Sequence, residues 1–399
     1  MPAESHVPEM SRLYGLSNPH LLTSIVKQTN TTHRMRGAAS IRIRLLISFT
    51  AIMAAMLVVS CSKDDTTGPD DTALKVRKNA KNLTAQERQD FTNAVLALKN
   101  IPSPWDATLS YYDQFVMWHR NSFYCDTMAA HMGPAFLPWH RQFLLMFENA
   151  LSQAAGKQIT IPYWDWTDEA STAAVFRDDF MGGNGDPSQR YAVTTGPFRL
   201  GNWTLNVVDQ PQADPVGLRF LTRSFGTFPE IPTLPTKADV ENALAVSAYD
   251  AAPWDVTPAP NLSFRNNLEG WRNDTNEACQ DSLMNPLHGP GVTPHVMHNG
   301  VHLWVSGMFT IPGVTDPLPG TMAYNTSLND PVFWLHHANV DRIWAMWEAR
   351  HGQVYVPVTG GHHGHNLNDA MWPYYKIGLT VTPKSMLDHR KLGYRYQEE

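Results

Sequence analysis

The chain has 399 residues, 43% hydrophobic and 17% charged, enough apolar surface for one large domain or two ordinary ones and too much for a disordered or fibrous polypeptide. Its 31 Lys and Arg against 37 Asp and Glu give a net charge of −6, with no basic excess to neutralise a phosphate backbone, so nucleic-acid binding is excluded as the leading function. Three cysteines cannot build a disulfide framework, whereas 17 histidines direct attention to metal sites.

Residues 1–34 read as an over-extended start, with Met35 as the true one. Arg36, Arg42 and Arg44 precede the apolar run Leu45–Val59, which is short against the roughly 20 residues of a spanning helix. A basic start, a short apolar run and a small residue before Cys61 make 35–61 a secretory signal, and Val58-Val59-Ser60-Cys61 resembles a bacterial lipobox. Residues 62–82, which begin with the acidic SKDDTTGPDD, read as a flexible tether.

From 83 to 399 the expected unit is a single domain, mainly α, with long loops and little β. Thr84-Ala85-Gln86-Glu87 is a capping box, followed by Phe91, Val95 and Leu98 on one helical face. Leu109, Tyr112, Val116 and His119 share helical spacing, as do His140, Leu144, Phe147 and Leu151 within a helix expected over Pro138–Ala155. Asp330 and Pro331 form a helix start, with Asp as the cap and Pro in the first turn, for a helix running to about Arg350. The Pro-, Gly-, Asp- and Thr-rich stretch 181–260 reads as long connections, and no period-two run is long enough to found a sheet.

Two groups of histidines can share a metal. His119, His131 and His140 lie near a helix end, in the segment that follows and at the next helix start. His298 and His302 are four apart, so both rings leave the same face of a helix. Of the adjacent His336 and His337, about 100° apart on their helix, only one is expected to join them. Both groups are all-imidazole, and no Glu-x-x-His of the di-iron bundles accompanies them, which favours copper, zinc or nickel. A zinc hydrolase on the His298/His302 pair needs a Glu between the two histidines, where this chain has Asn299, Gly300 and Val301.

FLPWHRQFLLMFE, IPYWDW, FRNNLEGW, HNGVHLWV and NDPVFWLHHANVDRIWAMWE, followed by MLDHRKLGYRY, together resemble the tyrosinase family of type 3 dicopper proteins. The resemblance covers about 84–397 and implies a four-helix bundle enclosing two copper ions. One is held by His119, His131 and His140, the other by His298, His302 and His337, with His336 a neighbour. It implies ortho-hydroxylation of monophenols and oxidation of o-diphenols to o-quinones with dioxygen. Catechol oxidase, acting on diphenols alone, shares every copper ligand. An oxygen carrier of haemocyanin type fits an exported single domain less well. Glu269 matches the family glutamate that holds a deprotonating water, and Asn299 the asparagine that orients it. Trp139, Trp304, Phe333 and Trp334 are expected to pack the bundle rather than bind substrate.

Some features depart from that pattern. A segment containing Cys279, His288 and His295 is inserted after Trp271, and His295 lies outside the matched motif. His362, His363 and His365 sit in GGHHGHNLND and read as a surface turn. Cys125 is open to three readings: a thioether to a copper-site histidine, a disulfide with Cys279, or a plain thiol. The expected partners are a phenolic small molecule and dioxygen, with membrane contact only through a lipid at Cys61. A separate copper-delivery partner is left open.

The lipobox reading predicts an exported mature chain that begins at an acylated Cys61. Mass spectrometry of the native N-terminus checks it, and an unlipidated chain starting elsewhere contradicts it.

Overall fold

A computed structural model of the chain describes residues 73–123, 130–209, 217–270 and 297–399. The signal segment, Cys61, Cys125, Cys279, His288 and His295 lie outside the described residues.

Local chemistry sets where the helices begin. In α1 (Ala85–Leu98) the capping box forms: Glu87 N donates to Thr84 Oγ1, and the Glu87 carboxylate accepts from Thr84 N. The start of α2 (Tyr111–Asn121) falls two residues after Leu109, because the Ser110 hydroxyl accepts from Asp113 N and caps the helix. A 20-residue helix, α3 (Phe136–Ala155), begins two residues before Pro138 and ends at Gly156, whose φ of 63° suits a residue without Cβ. Next come α4 (Glu169–Val175) and α5 (Lys237–Leu244). The latter interrupts the expected 181–260 connection, started by its own capping box from Thr236 to Asp239. Three more follow: α6 (Phe264–Glu269), α7 (Met297–Ser306) and α8 (Val332–His351). Asp330 does serve the start of α8, accepting from Val332 N at 3.1 Å, while Arg223 grips the same carboxylate through two nitrogens at 2.7 Å.

Strand is scarce among the described residues. It comprises β1 (Lys75–Arg77), β2 (Gly185–Asp186), β3 (Ala192–Val193), β4 (Met308–Phe309), β5 (Leu318–Pro319) and β6 (Tyr394–Tyr396). These form three two-stranded pieces: β1 parallel with β6, β2 antiparallel with β3, and β4 antiparallel with β5. The molecule is thus mainly α, as its periodicities suggest.

Helices α2, α3 and α8 meet over an aromatic core. Trp334 of α8 stacks on Phe147 of α3 with ring centres 3.6 Å apart, and Phe115 of α2 meets both edge-on at 5.5–5.6 Å. All three are fully buried, and such pairs add to the area they bury. Trp139 also packs, donating its indole N–H to Trp372 O, and Trp304 stacks on Phe225. This packing holds the histidine-bearing faces of α2, α3 and α8 toward one another.

The folded part begins earlier than residue 83. Residues 75–82, included in the expected tether that begins with SKDDTTGPDD, form β1 and a short 3-10 turn. Arg77 is fully buried between Glu148 of α3 (2.8 Å) and Asp341 of α8 (3.0 Å). Asp341 also takes Arg141 at 2.6 Å and the hydroxyls of Tyr394 and Tyr396 at 2.5 Å. Burial alone raises its pKa, but Arg141 and Arg77 outweigh that and hold the carboxyl down at about 2.

Removing one member of such a cluster strands its buried partners. Asp341→Ala is therefore expected to cost roughly 3–5 kcal/mol in urea unfolding. A change below about 1 kcal/mol contradicts the role assigned to this cluster.

Candidate metal centre

The histidines converge on two adjacent points. His119 near the end of α2, His131 in the segment before α3 and His140 in the first turns of α3 bring one ring nitrogen each within 4.8 Å of one another. His298 and His302, one turn apart on α7, do the same with His336 and His337 of α8. The two groups adjoin: the His140 and His337 rings stack with centres 4.3 Å apart. Phe333 lies between the groups, 5.0 Å from the His119 ring and 4.0 Å from that of His337.

Hydrogen bonds fix the tautomers. Nδ1 lies against a backbone carbonyl in His119 (Asn325 O, 2.7 Å), His140 (Phe136 O, 2.9 Å), His298 (Glu269 O, 3.2 Å) and His302 (Met322 O, 2.7 Å). With Nδ1 donating the proton, Nε2 carries the open lone pair. The His337 Nε2 stands 3.2 Å from that of His298 and 3.5 Å from that of His302. Nothing among the described residues fixes the His337 tautomer, so without metal its Nε2–H can donate to His298 Nε2, and a metal ion can replace that proton at the same spacing. Two imidazole nitrogens on one tetrahedral metal, each at about 2.0 Å, are about 3.3 Å apart. In the other group, the buried Nε2 atoms of His119 and His140 have no hydrogen-bond partner. These residues fit metal ions, and an all-imidazole donor set suits copper.

Adjacent positions on α8 do not separate as expected. Both His336 and His337 reach the second group, because rings leaving a helix about 100° apart can flank a point lying between them. His336 stacks on His298 at 5.0 Å, and neither of its buried nitrogens makes a hydrogen bond. The short nitrogen–nitrogen distances belong to His337.

The profile described as the common central domain of tyrosinase matches residues 109–350. A tyrosinase of Streptomyces glaucescens is 40% identical over 325 residues, covering 79% of this chain and 97% of that one. The chain belongs to the tyrosinase family. It is thus a tyrosinase-type copper oxidoreductase that uses two copper ions. Other relatives are a tyrosinase of Streptomyces antibioticus, 38% identical over 80% of this chain and 98% of its own length, and the grixazone synthase of Streptomyces griseus, 36% identical over 81% and 99%. Among solved structures, a variant of the polyphenol oxidase from Thermothelomyces thermophila matches with a TM-score of 0.48 and 26% identity, over 69% of this chain and 70% of that one.

Around this tyrosinase centre, Glu269 ends α6 beneath the second histidine group. Its carbonyl orients His298, while its buried carboxylate accepts from Arg265 Nη1 at 3.0 Å and Met132 N at 2.5 Å. Burial pushes this carboxyl up to about 7 even though Arg265 pulls the other way. Asn299, the residue after His298, is half-buried on α7. Arg265 went unnoticed in the sequence, although its place four residues before Glu269 on one helix was a signal for the pair.

His365 corrects the reading of GGHHGHNLND as a surface turn. His362 and His363 are exposed, but His365 is buried and accepts from Ala135 N at 3.2 Å. Flanking glycines suggested exposure, whereas here they let the chain turn sharply enough to press the ring inward.

Burial, aided by neighbouring histidines, keeps these imidazoles neutral. Desolvation pulls His119 down to about 3 and His302 to about 4 from the ordinary 6.5, and drives His131, His140, His298 and His337 well below it. Below pH 6.5 the unfolded chain takes up protons that the folded chain refuses, so the metal-free fold loses stability as pH falls toward 4. Urea midpoints of the metal-free protein should drop steeply between pH 6.5 and 4. A flat profile contradicts this burial.

Proposed function

We propose that this oxidoreductase is a tyrosinase in the full sense, hydroxylating monophenols at the ortho position and oxidising the resulting o-diphenols to o-quinones with dioxygen. His119, His131 and His140 are the proposed ligands of one copper, and His298, His302 and His337 those of the other. The observation that carries the ligand choice is the pair of Nε2–Nε2 distances, 3.2 and 3.5 Å, around His337. When bound, the copper pair supplies the two electrons that dioxygen takes up, one from each ion.

The chain's own residues prepare the site for a phenol. Neutral imidazoles leave the metals' positive charge uncompensated, which favours an incoming phenolate oxygen. Phenols of pKa about 10 arrive protonated near pH 7, so a base must take that proton, directly or through a water. Glu269 is the proposed base, with Asn299 orienting the water. Burial raises this carboxyl to about 7 in the metal-free protein, and the charge of bound copper would draw it back toward the ionised form that accepts a proton. Each carboxylate oxygen also keeps a second acceptor position beyond its bond to Arg265 or Met132 N. Phe333, wedged between the two groups, keeps bulk water from the histidines.

The second reading is oxidation of diphenols alone. What favours it is that both Glu269 oxygens already serve Arg265 and Met132. Export with a lipid on Cys61 and a domain reaching to residue 399 complete the proposal.

Oxygen uptake by the copper-loaded protein, with tyrosine and a catechol side by side, separates the two readings. Glu269→Gln should cut turnover of tyrosine at least about tenfold more than that of the catechol, as loss of a general base predicts, with copper content unchanged. Equal losses on both substrates point to a structural role, and no uptake with tyrosine in the wild type leaves catechol oxidase. Separately, His119→Ala or His337→Ala should lower the copper content and abolish catechol oxidation, while His336→Ala keeps both metals. The reverse for His336 and His337 overturns the ligand choice.

A further inference from the structure

Of the six proposed ligands, four have Nδ1 fixed by a backbone carbonyl, but the buried Nδ1 atoms of His131 and His337 have no partner. His337 is built into the 20-residue helix α8 and covered by Phe333. His131 lies in no helix, and its ring rests on Phe123, stacked at 3.9 Å. Something else must set the direction of this side chain.

The backbone that carries it is clamped from three sides. Met132, at a φ of +60°, is in the left-handed region that a residue with a long side chain rarely adopts. Its N–H donates to Glu269 Oε1 at 2.5 Å, and the Tyr249 hydroxyl donates to Pro134 O at 2.6 Å. The third clamp is His365, whose Nδ1 accepts from Ala135 N at 3.2 Å. Its ring lies so close over Gly133 that a Cβ there would stand 2.7 Å from Cε1 and Nδ1. The turn behind His365 is itself braced. Tyr355 donates to His365 O at 2.7 Å, and Asp369 Oδ2 accepts from Gly364 N and Asn366 N at 2.9 and 3.2 Å.

We propose that His365 is a positioning residue for the first copper site: by holding Ala135 N–H and packing closely on Gly133, it fixes the turn that aims His131. The proposal rests on the reading of His131 as a copper ligand. It is independent of whether the substrate is a monophenol or a diphenol. His365 touches neither metal nor substrate, so its loss should weaken the first site and spare the second.

The test measures copper bound at buffered free copper, together with the Cu(II) electron paramagnetic resonance (EPR) signal, in full-length wild type, His365→Phe, His365→Asn and Gly133→Ala. Phe keeps the ring but has no acceptor, Asn returns an oxygen near the Nδ1 position, and Gly133→Ala pushes the ring away. Removing an outer partner of a ligand typically costs 10–100-fold in metal affinity. In His365→Phe and Gly133→Ala, affinity at the first site should fall by about that factor. The copper left in the second site, without a coupled neighbour, should then give the EPR signal of an isolated Cu(II). His365→Asn should recover most of the affinity. Wild-type copper binding in both His365→Phe and Gly133→Ala overturns the proposal. So does equal weakening of both sites with a lowered melting temperature, which marks a general structural role. If His365→Phe does not fold, Gly133→Ala decides. His131→Ala separates the two levels: keeping both coppers, it overturns the ligand reading beneath the proposal; dropping to one copper while His365→Phe keeps two, it overturns the clamp alone.

Discussion

Two imidazole nitrogens, His298 Nε2 and His337 Nε2, face each other at 3.2 Å in a site closed to water. In the metal-free protein the His337 Nε2–H can donate to the His298 lone pair, because nothing among the described residues holds the His337 proton on Nδ1, and a metal ion bound between the rings takes that proton's place. Much of the architecture follows from holding this arrangement open. Carbonyls of Asn325, Phe136, Glu269 and Met322 fix the ring tautomers, so the nitrogens that face inward are acceptors. Each group of histidines spans more than one element, and the metal site exists only when α2, α3, α7 and α8 are packed together.

That packing rests on two unlike materials. Next to the histidines the bundle is aromatic, with Phe115, Phe147 and Trp334 locked in stacked and edge-on contacts. On another face of α3 and α8 it is ionic, with Arg77, Arg141, Glu148, Asp341 and Glu348 buried as one network that ties β1 to both helices. Buried ion pairs of this kind contribute little net energy over an apolar core but punish any arrangement that breaks them. They therefore specify how α3 and α8 sit against each other, and hence how His140 meets His337. Glu269 links the two histidine groups: its carbonyl serves His298 and its carboxylate serves the turn that carries His131.

The parts legible in the sequence were those written in local chemistry. The Thr84–Glu87 box marked α1 to the residue, and the Asp330-Pro331 pair marked α8 to within one. The four-residue spacing of His298 and His302 put both rings on one helix face, as found. What could not be read was set by distant contacts. Residues 75–82 fell within the expected tether because the partners that bury Arg77, Glu148 and Asp341, are far along the chain. His365 looked exposed in a glycine-rich turn because the backbone it supports lies more than 200 residues earlier. His336 joins its neighbour at the second group because the α7 histidines lie within reach of both rings, which the angle between adjacent residues alone does not reveal.

Anomalous diffraction at the copper absorption edge, from crystals of the copper-loaded protein, tests the central claim most directly. The account predicts two peaks, one within bonding distance of His119, His131 and His140, the other within bonding distance of His298, His302 and His337 with His336 outside it. A single peak, or a second copper bound through His336 in place of His337, contradicts it.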